Sequence, residues 1–200
     1  GLGDVYKRQG KVLSGNIGNY ELGNFEVNGF LETSYVEHAY IEPEAGSAWM
    51  DKNVLVIQAC TQAPYMDRDD TAKILDMKPD KIRIIPSATG GGFGSKLDIS
   101  IQPFLGLVAI KTKRPCRILY SRNESMFSTT KRHPGLMSSK ISCDSNGFIK
   151  SIDFIGDFNT GAYASWGPTV ANRVPVHASG PYRVPNYQAI GRAIHTNGPI

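Results

Sequence analysis

Ser87-Ala88-Thr89-Gly90-Gly91-Gly92-Phe93-Gly94-Ser95-Lys96 is the stretch of this 200-residue chain best suited to hold a ligand. Glycines let a backbone come close to a bound group and take φ > 0. A helix starting just beyond would aim N–H groups and a positive dipole end at an oxygen or an anion. The generic reading is an oxyanion or phosphate cradle; the plainer alternative is a tight strand-to-helix turn without a ligand. Two phosphate motifs fail. The dinucleotide fingerprint needs Gly where this chain has Ser95, and the P-loop needs Gly-Lys-[Ser/Thr] where it has Ser95-Lys96-Leu97.

A second stretch, Tyr35-Val36-Glu37-His38-Ala39-Tyr40-Ile41-Glu42-Pro43-Glu44, carries metal-ligand residue types. Glu-His-x-x-x-Glu without a further His nearby is weak as a metal motif. A structural role for His38, hydrogen-bonded near a core, is the favoured reading. A third, Asp157–Pro168 with Arg173 beyond it, reads as a Gly- and aromatic-rich loop. Arg173 offers a permanently charged planar donor fork, suited to an anionic or enolate-like oxygen. Its structural alternative is a salt bridge to a carboxylate.

Strands and helices must position these groups. Val54–Cys60 is a near-continuous apolar, β-branched run and predicts a buried strand. Asp67 or Asp69 then offers an N-cap for a short helix through Ala72, Ile74, Leu75 and Met77. Lys81–Pro86 alternates as a strand, and Leu97–Ile110 has a helical period of apolar residues with Pro103 early in it. Pro115–Ser121 predicts a short strand. Ser139–Cys143 and Phe148–Phe154 flank an Asn146-Gly147 turn and predict a hairpin. Tyr187–Ile194 predicts a last strand. The mixture indicates an α+β (mixed α/β) fold. Residues 1–24 form an N-terminal segment, of which 1–9 lack an apolar period and are set aside as a tag, scar or artefact.

Composition excludes several classes. Hydrophobic residues are 40% and charged residues 20%, so the chain is not generally disordered. No apolar run approaches the ~18 residues of a membrane-spanning helix, and no basic-then-apolar leader opens the sequence. Three scattered cysteines give neither a disulfide framework nor a C-x-x-C site, so a reducing, cytoplasmic setting is expected. The net charge of +4 conceals an acidic first quarter and a basic stretch, Lys111–Lys140, opposed only by Glu124. Only Tyr120 and Phe127 are interspersed there, which argues for a solvated or subunit-facing surface and against nucleic-acid binding.

In their order and spacing these segments resemble the molybdenum-pterin-binding subunit of the xanthine dehydrogenase/aldehyde oxidase family. The resemblance runs from Phe25 to Ile200. It rests on Val36–Glu44, on Gly90-Gly91-Gly92-Phe93-Gly94-Ser95-Lys96, on Lys131-Arg132-His133-Pro134, on Asn159-Thr160-Gly161-Ala162-Tyr163 and on Gly180-Pro181-Tyr182. It implies that residues 25–200 are a partial molybdopterin-binding domain, cut short at its C-terminal side. The backbone of Gly91, Gly92, Phe93 and Gly94 would hold the molybdenum-pterin cofactor. The Phe93 amide would meet a metal-bound oxygen and its ring would wall the substrate slot. Arg173 would stabilise transition-state charge on an N-heterocycle, and Asp98 is a further candidate substrate contact.

The implied reaction is hydroxylation of an electron-poor C–H on a purine, a related N-heterocycle or an aldehyde, with water as oxygen source. Electrons would leave through 2Fe-2S clusters to FAD on partner subunits or further chain. A non-catalytic nucleotide-binding α/β module is the rival from another class. Neither a membrane nor a nucleic-acid partner is implied. Two positions depart from the family: Val36 stands where many members carry Gln, and Leu97, followed by Asp98, where xanthine-type members carry Glu. The general-base Glu is expected beyond residue 200. This piece alone is therefore expected to be inactive and to expose apolar surface beside a half-built cofactor site.

Overall fold

A computed structural model describes residues 7–18 and 23–199. It divides into two compact units, one formed by residues up to Val36 together with Arg132 onward, the other by Glu37–Lys131.

The first unit is a five-stranded sheet. Its strands are β1 (Lys7–Ser14), β2 (Phe25–Thr33), β7 (Gly135–Cys143), β8 (Ile149–Gly161) and β9 (Asn186–His195), in the order β1-β9-β8-β7-β2. The expected hairpin is β7–β8. Gly147 takes the positive φ of its turn, and the Asp144 carboxylate accepts from the Asn146 and Phe148 amides. Three expectations change here. Lys7–Gln9, set aside with the N-terminal segment, begin β1 and pair with β9, while residues 1–6 lie outside the described residues. Asp157–Gly161, expected as loop, end β8. Residues after it form helix α4 (Gly167–His177), the crossover that lets β8 and β9 run parallel. Gly167, Ala171 and Pro175 point inward at helical spacing, and a Cβ on Gly191 would lie 2.1 Å from the Ala171 carbonyl oxygen, so β9 is flat where α4 lies on it. α4 covers β1, β8 and β9. Phe25, Val27, Phe30 and Leu31 of edge strand β2 are exposed.

The second unit is a four-stranded sheet of β3 (Ala45–Asp51), β4 (Val54–Ala59), β5 (Ile82–Pro86) and β6 (Cys116–Leu119), in the order β5-β4-β3-β6. Helix α1 (Pro64–Ile74) is the crossover between the parallel pair β4–β5. Helix α2 (Gln102–Thr112) packs on β3 and β4, and a short helix α3 (Arg122–Ser128) is closed by a Ser121/Glu124 capping box. Leu55, Ile57, Ala59, Ile82, Ile101, Leu105 and Ala109 make the core. Full burial of a side chain such as Leu105 stabilises by about 2–3 kcal/mol.

Both helices start where Pro sets φ, not where the apolar period begins. α1 opens at Pro64, ahead of the expected Asp67 or Asp69, and Ala63 occupies the N-cap. Asp67 is no cap: it lies inside the first turn, fully buried, with Gln102 Nε2 donating to it at 2.9 Å. α2 opens beside Pro103, and Leu97 belongs to a separate 3-10 turn, Ser95–Leu97. Its inward face is Ile101, Leu105 and Ala109, so Phe104 and Val108 are exposed.

Burial pushes the Asp67 carboxyl up to about 6, against hydrogen bonds from Thr61 and Gln102 that lower it. A carboxyl raised in the folded state binds its proton more tightly there than in the unfolded chain. Stability is then highest below the unfolded value and falls as pH rises from about 4 to about 6. Asp67→Asn keeps an acceptor for Gln102 and removes the buried charge. It is expected to stabilise the fold at pH 7 by about 3 kcal/mol and to flatten the wild-type loss between pH 4 and pH 6. Urea denaturation across that range checks both; a variant less stable than wild type at pH 7 refutes the account.

Candidate cofactor site

The glycine bend leaves β5 after Ser87, whose amide donates to the Ala59 carbonyl at 3.0 Å. Gly91 (φ +101°), Phe93 (φ +54°) and Gly94 (φ +104°) all take positive φ. Phe93 carries a steric penalty there that glycine does not, and its ring is 63% exposed, so no core packing accounts for the choice of residue. The bend then enters the 3-10 turn, with Ser95 N–H donating to Gly92 O at 3.0 Å. The long helix expected directly behind the bend is absent: Asp98 is extended, and α2 starts only at Gln102. A helix macrodipole therefore does not explain any ligand binding here; individual amides must.

Two side chains hold the bend. Glu42 Oε2 accepts from the Gly90 amide at 2.8 Å and from Lys96 Nζ at 2.8 Å. Gln62 Oε1 accepts from the Gly94 amide at 3.1 Å, and the Gln62 backbone N–H donates to Lys96 O at 2.9 Å. The fit is close. A Cβ on Gly90 would lie 2.6 Å from Glu42 Cβ, and one on Gly92 would lie 2.5 Å from Gln62 Oε1. Lys96 is buried, with its ammonium 4.6 Å from the Tyr40 ring centre. Tyr40 in turn donates to the buried Glu44 carboxylate, and burial, then that hydrogen bond, raise the phenol above its ordinary value. The amides of Gly90, Gly94 and Ser95 are thus committed. Those of Gly91, Gly92 and Phe93 donate to no acceptor among the described residues.

The other candidates fall elsewhere. Asp98 is half-buried and lines a small cavity of about 40 Å³ with Glu44, Cys60, Ser95 and Lys96. It stands on extended backbone, past the end of the 3-10 turn. Val36 is exposed and forms an isolated antiparallel bridge with Arg132. No group of three His, Cys, Asp or Glu among the described residues is placed to hold a metal ion. Glu37 pairs with Lys131, Glu42 with Lys96, and Glu44 accepts from Tyr40, so the carboxylates nearest His38 in sequence are engaged with other groups. Arg173, expected near a loop, is on the exposed side of α4, in the first unit, and makes no hydrogen bond or ion pair among the described residues. Asn159, from another of the motifs, is a hub at the end of β8: it donates to Tyr35 Oη at 2.9 Å and accepts from Thr196 and the Gly161 amide. The supports Glu42, Gln62 and Lys96 are not singled out as such by sequence, although a Lys directly behind a glycine bend, if buried, needs a carboxylate.

Residues 9–200 match the molybdopterin cofactor-binding domain family. The chain belongs to that family. A nicotinate dehydrogenase large molybdopterin subunit from Eubacterium barkeri is 41% identical to it over 162 residues, 80% of this chain and 38% of that protein. A probable xanthine dehydrogenase subunit from Bacillus subtilis (strain 168) is 40% identical over 150 residues, 75% of this chain and 20% of that protein. The solved aldehyde oxidoreductase from Desulfovibrio gigas superposes with a TM-score of 0.88 over 96% of this chain and 21% of its own, at 21% identity, which is a likeness of fold. The chain thus spans 38% and 20% of the length of the two curated relatives. The residues present fit a molybdopterin centre. The bend offers three consecutive amide donors, Gly91, Gly92 and Phe93, with no acceptor among the described residues; the two glycines are closely approached, and the third residue is an exposed aromatic. No helix among the described residues is long and apolar enough to cross a membrane.

Proposed function

We propose that this chain is the cofactor-holding part of the molybdenum-binding subunit of a hydroxylase acting on a purine or related N-heterocycle. The observation that carries the reading is the uncommitted amide row of Gly91, Gly92 and Phe93 in a chain of the molybdopterin family. The relatives named for nicotinate and xanthine, both N-heterocycles, favour that substrate class. A bound molybdenum-pterin supplies the two-electron oxidation of a C–H bond, with water as the oxygen source.

The chain's own residues bind, orient and exclude. The Phe93 amide, with those of Gly91 and Gly92, donates to an oxygen of the cofactor. The exposed Phe93 ring walls the substrate slot against water. Arg173, with no partner among the described residues, holds negative charge that builds on the heterocycle. Asp98 is a second substrate contact. The general base comes from chain beyond residue 200, and iron–sulfur and FAD subunits or domains receive the electrons. Cys60, Cys116 and Cys143 are free thiols, in keeping with a reducing, cytoplasmic setting.

Metal and pterin analysis of the complete protein tests this. Molybdenum and pterin are expected to copurify with it in a fixed ratio to the subunit. Purification without either, from cells that load other molybdenum enzymes, would point to the non-catalytic α/β module instead.

A further inference from the structure

We propose that Glu42 is a positioning residue for the cofactor, acting through Gly90 and Lys96; this rests on the function proposed above. The residue makes four polar contacts to the two ends of the bend. Its Oε2 accepts from Gly90 N–H and from Lys96 Nζ, each at 2.8 Å. Its amide donates to Gly90 O at 3.1 Å, and its carbonyl accepts from Lys96 Nζ at 2.9 Å. The backbone and side chain of one residue therefore tie residue 90 to the ammonium of residue 96, with the left-handed residues lying between them.

Left-handed conformations at a non-glycine persist only where surroundings over-determine them. The clamp supplies that constraint at Phe93, with Gln62 as a second hold on Gly94. Its electrostatics serve the same end. Lys96 is 4% exposed, and its ammonium is neutralised by Glu42. A buried cation left unpaired would draw the nearest backbone oxygens inward and turn the peptide planes of the bend. With the pair intact, the Gly91, Gly92 and Phe93 amides stay free for the cofactor. Tyr40 backs the ammonium from its ring face, so Lys96 is fixed on two sides.

The test uses the complete protein with the variants E42A and E42Q, plus E42A/K96M, which removes the ammonium that E42A strands. Two quantities are read: hydrogen exchange of the bonded Gly90, Gly94 and Ser95 amides in cofactor-free protein, and the molybdenum(V) electron paramagnetic resonance signal of loaded protein. A hydrogen bond to a charged group is worth roughly tenfold in an opening equilibrium, so loss of two raises exchange by about 100-fold in E42A. E42Q keeps an acceptor for Gly90 and for Lys96 but not the charge, so exchange is expected to rise by only about tenfold, with a resonance signal displaced less than in E42A. E42A and E42A/K96M are expected to shift that signal. Wild-type exchange and signal in both of these variants overturn the proposal, as does an E42Q as disturbed as E42A. Absence of molybdenum-pterin from the wild type overturns the proposed function instead, and the exchange arm still decides whether Glu42 shapes the bend.

Discussion

Gly91→Ala in the complete protein is expected to lower kcat/KM by about 100-fold or more and to deplete bound pterin, while the fold survives. The reason lies in the backbone. Gly91 has φ +101°, a region that an L side chain rarely adopts, and its added Cβ would lie 3.0 Å from Tyr40 Cβ. Strain of this kind costs about 1–3 kcal/mol, enough to shift the bend to another conformation in most molecules. The Gly91–Phe93 amides are then displaced, and a displacement of about 1 Å at a reacting centre costs on the order of 100-fold. Gly91 is half-buried and outside the core of Leu55, Ile57 and Leu105, so the thermal midpoint is expected to fall by only a few degrees. Pterin fluorescence after denaturation, molybdenum content and turnover measure the effect. Full loading and unchanged turnover in a folded Gly91→Ala variant would remove the bend from the cofactor site.

The bend is legible in the sequence because a glycine run between a β-branched strand and an apolar helix has few structural uses, and the family resemblance makes it specific. Its supports are not, because Glu42 and Lys96 are 54 residues apart and no local pattern pairs them. The strands β4, β5, β6 and β9 can be read from β-branched or alternating residues. β3, with the sequence AGSAWMD, carries small residues because α2 lies close over it: a Cβ on Gly46 would lie 2.9 Å from Leu105 Cδ1. β2 alternates Phe25, Val27 and Leu31 but sits at a sheet edge with both faces exposed, so burial leaves a weak imprint on it. The helix expected behind the bend begins too early because Leu97 continues the apolar period of α2. Pro103 marks its real start, since a missing N–H costs nothing in a first helical turn. The same rule at Pro64 places α1 and moves Asp67 from cap to core. α4 is hidden because Gly, Pro and Asn in its sequence mimic a loop, while its inward residues Gly167, Ala171 and Pro175 are small.

Arg173→Met separates the substrate classes. Arg173 is on the exposed side of α4, away from the inward line of Gly167, Ala171 and Pro175, and has no partner among the described residues. A surface side chain without partners changes stability by no more than about 0.5 kcal/mol when replaced, so a loss of activity reads function and not folding. In the complete enzyme, removing one preorganised donor to developing charge costs about 100- to 1,000-fold. That loss is expected for purines and related N-heterocycles, whose ring nitrogens and exocyclic oxygens accumulate charge as the C–H bond is oxidised. Aldehydes leave no such distant charge for a guanidinium to meet, so their turnover is expected to stay within about threefold of wild type by the same argument. Arg173→Lys keeps the charge without the planar fork and is expected to recover part of the heterocycle activity. The measurement is kcat/KM for one heterocycle and one aldehyde on all three proteins. Equal losses for both, or none for either, would show that Arg173 does not select the substrate, and the heterocycle assignment would lose its only residue-level support in this chain.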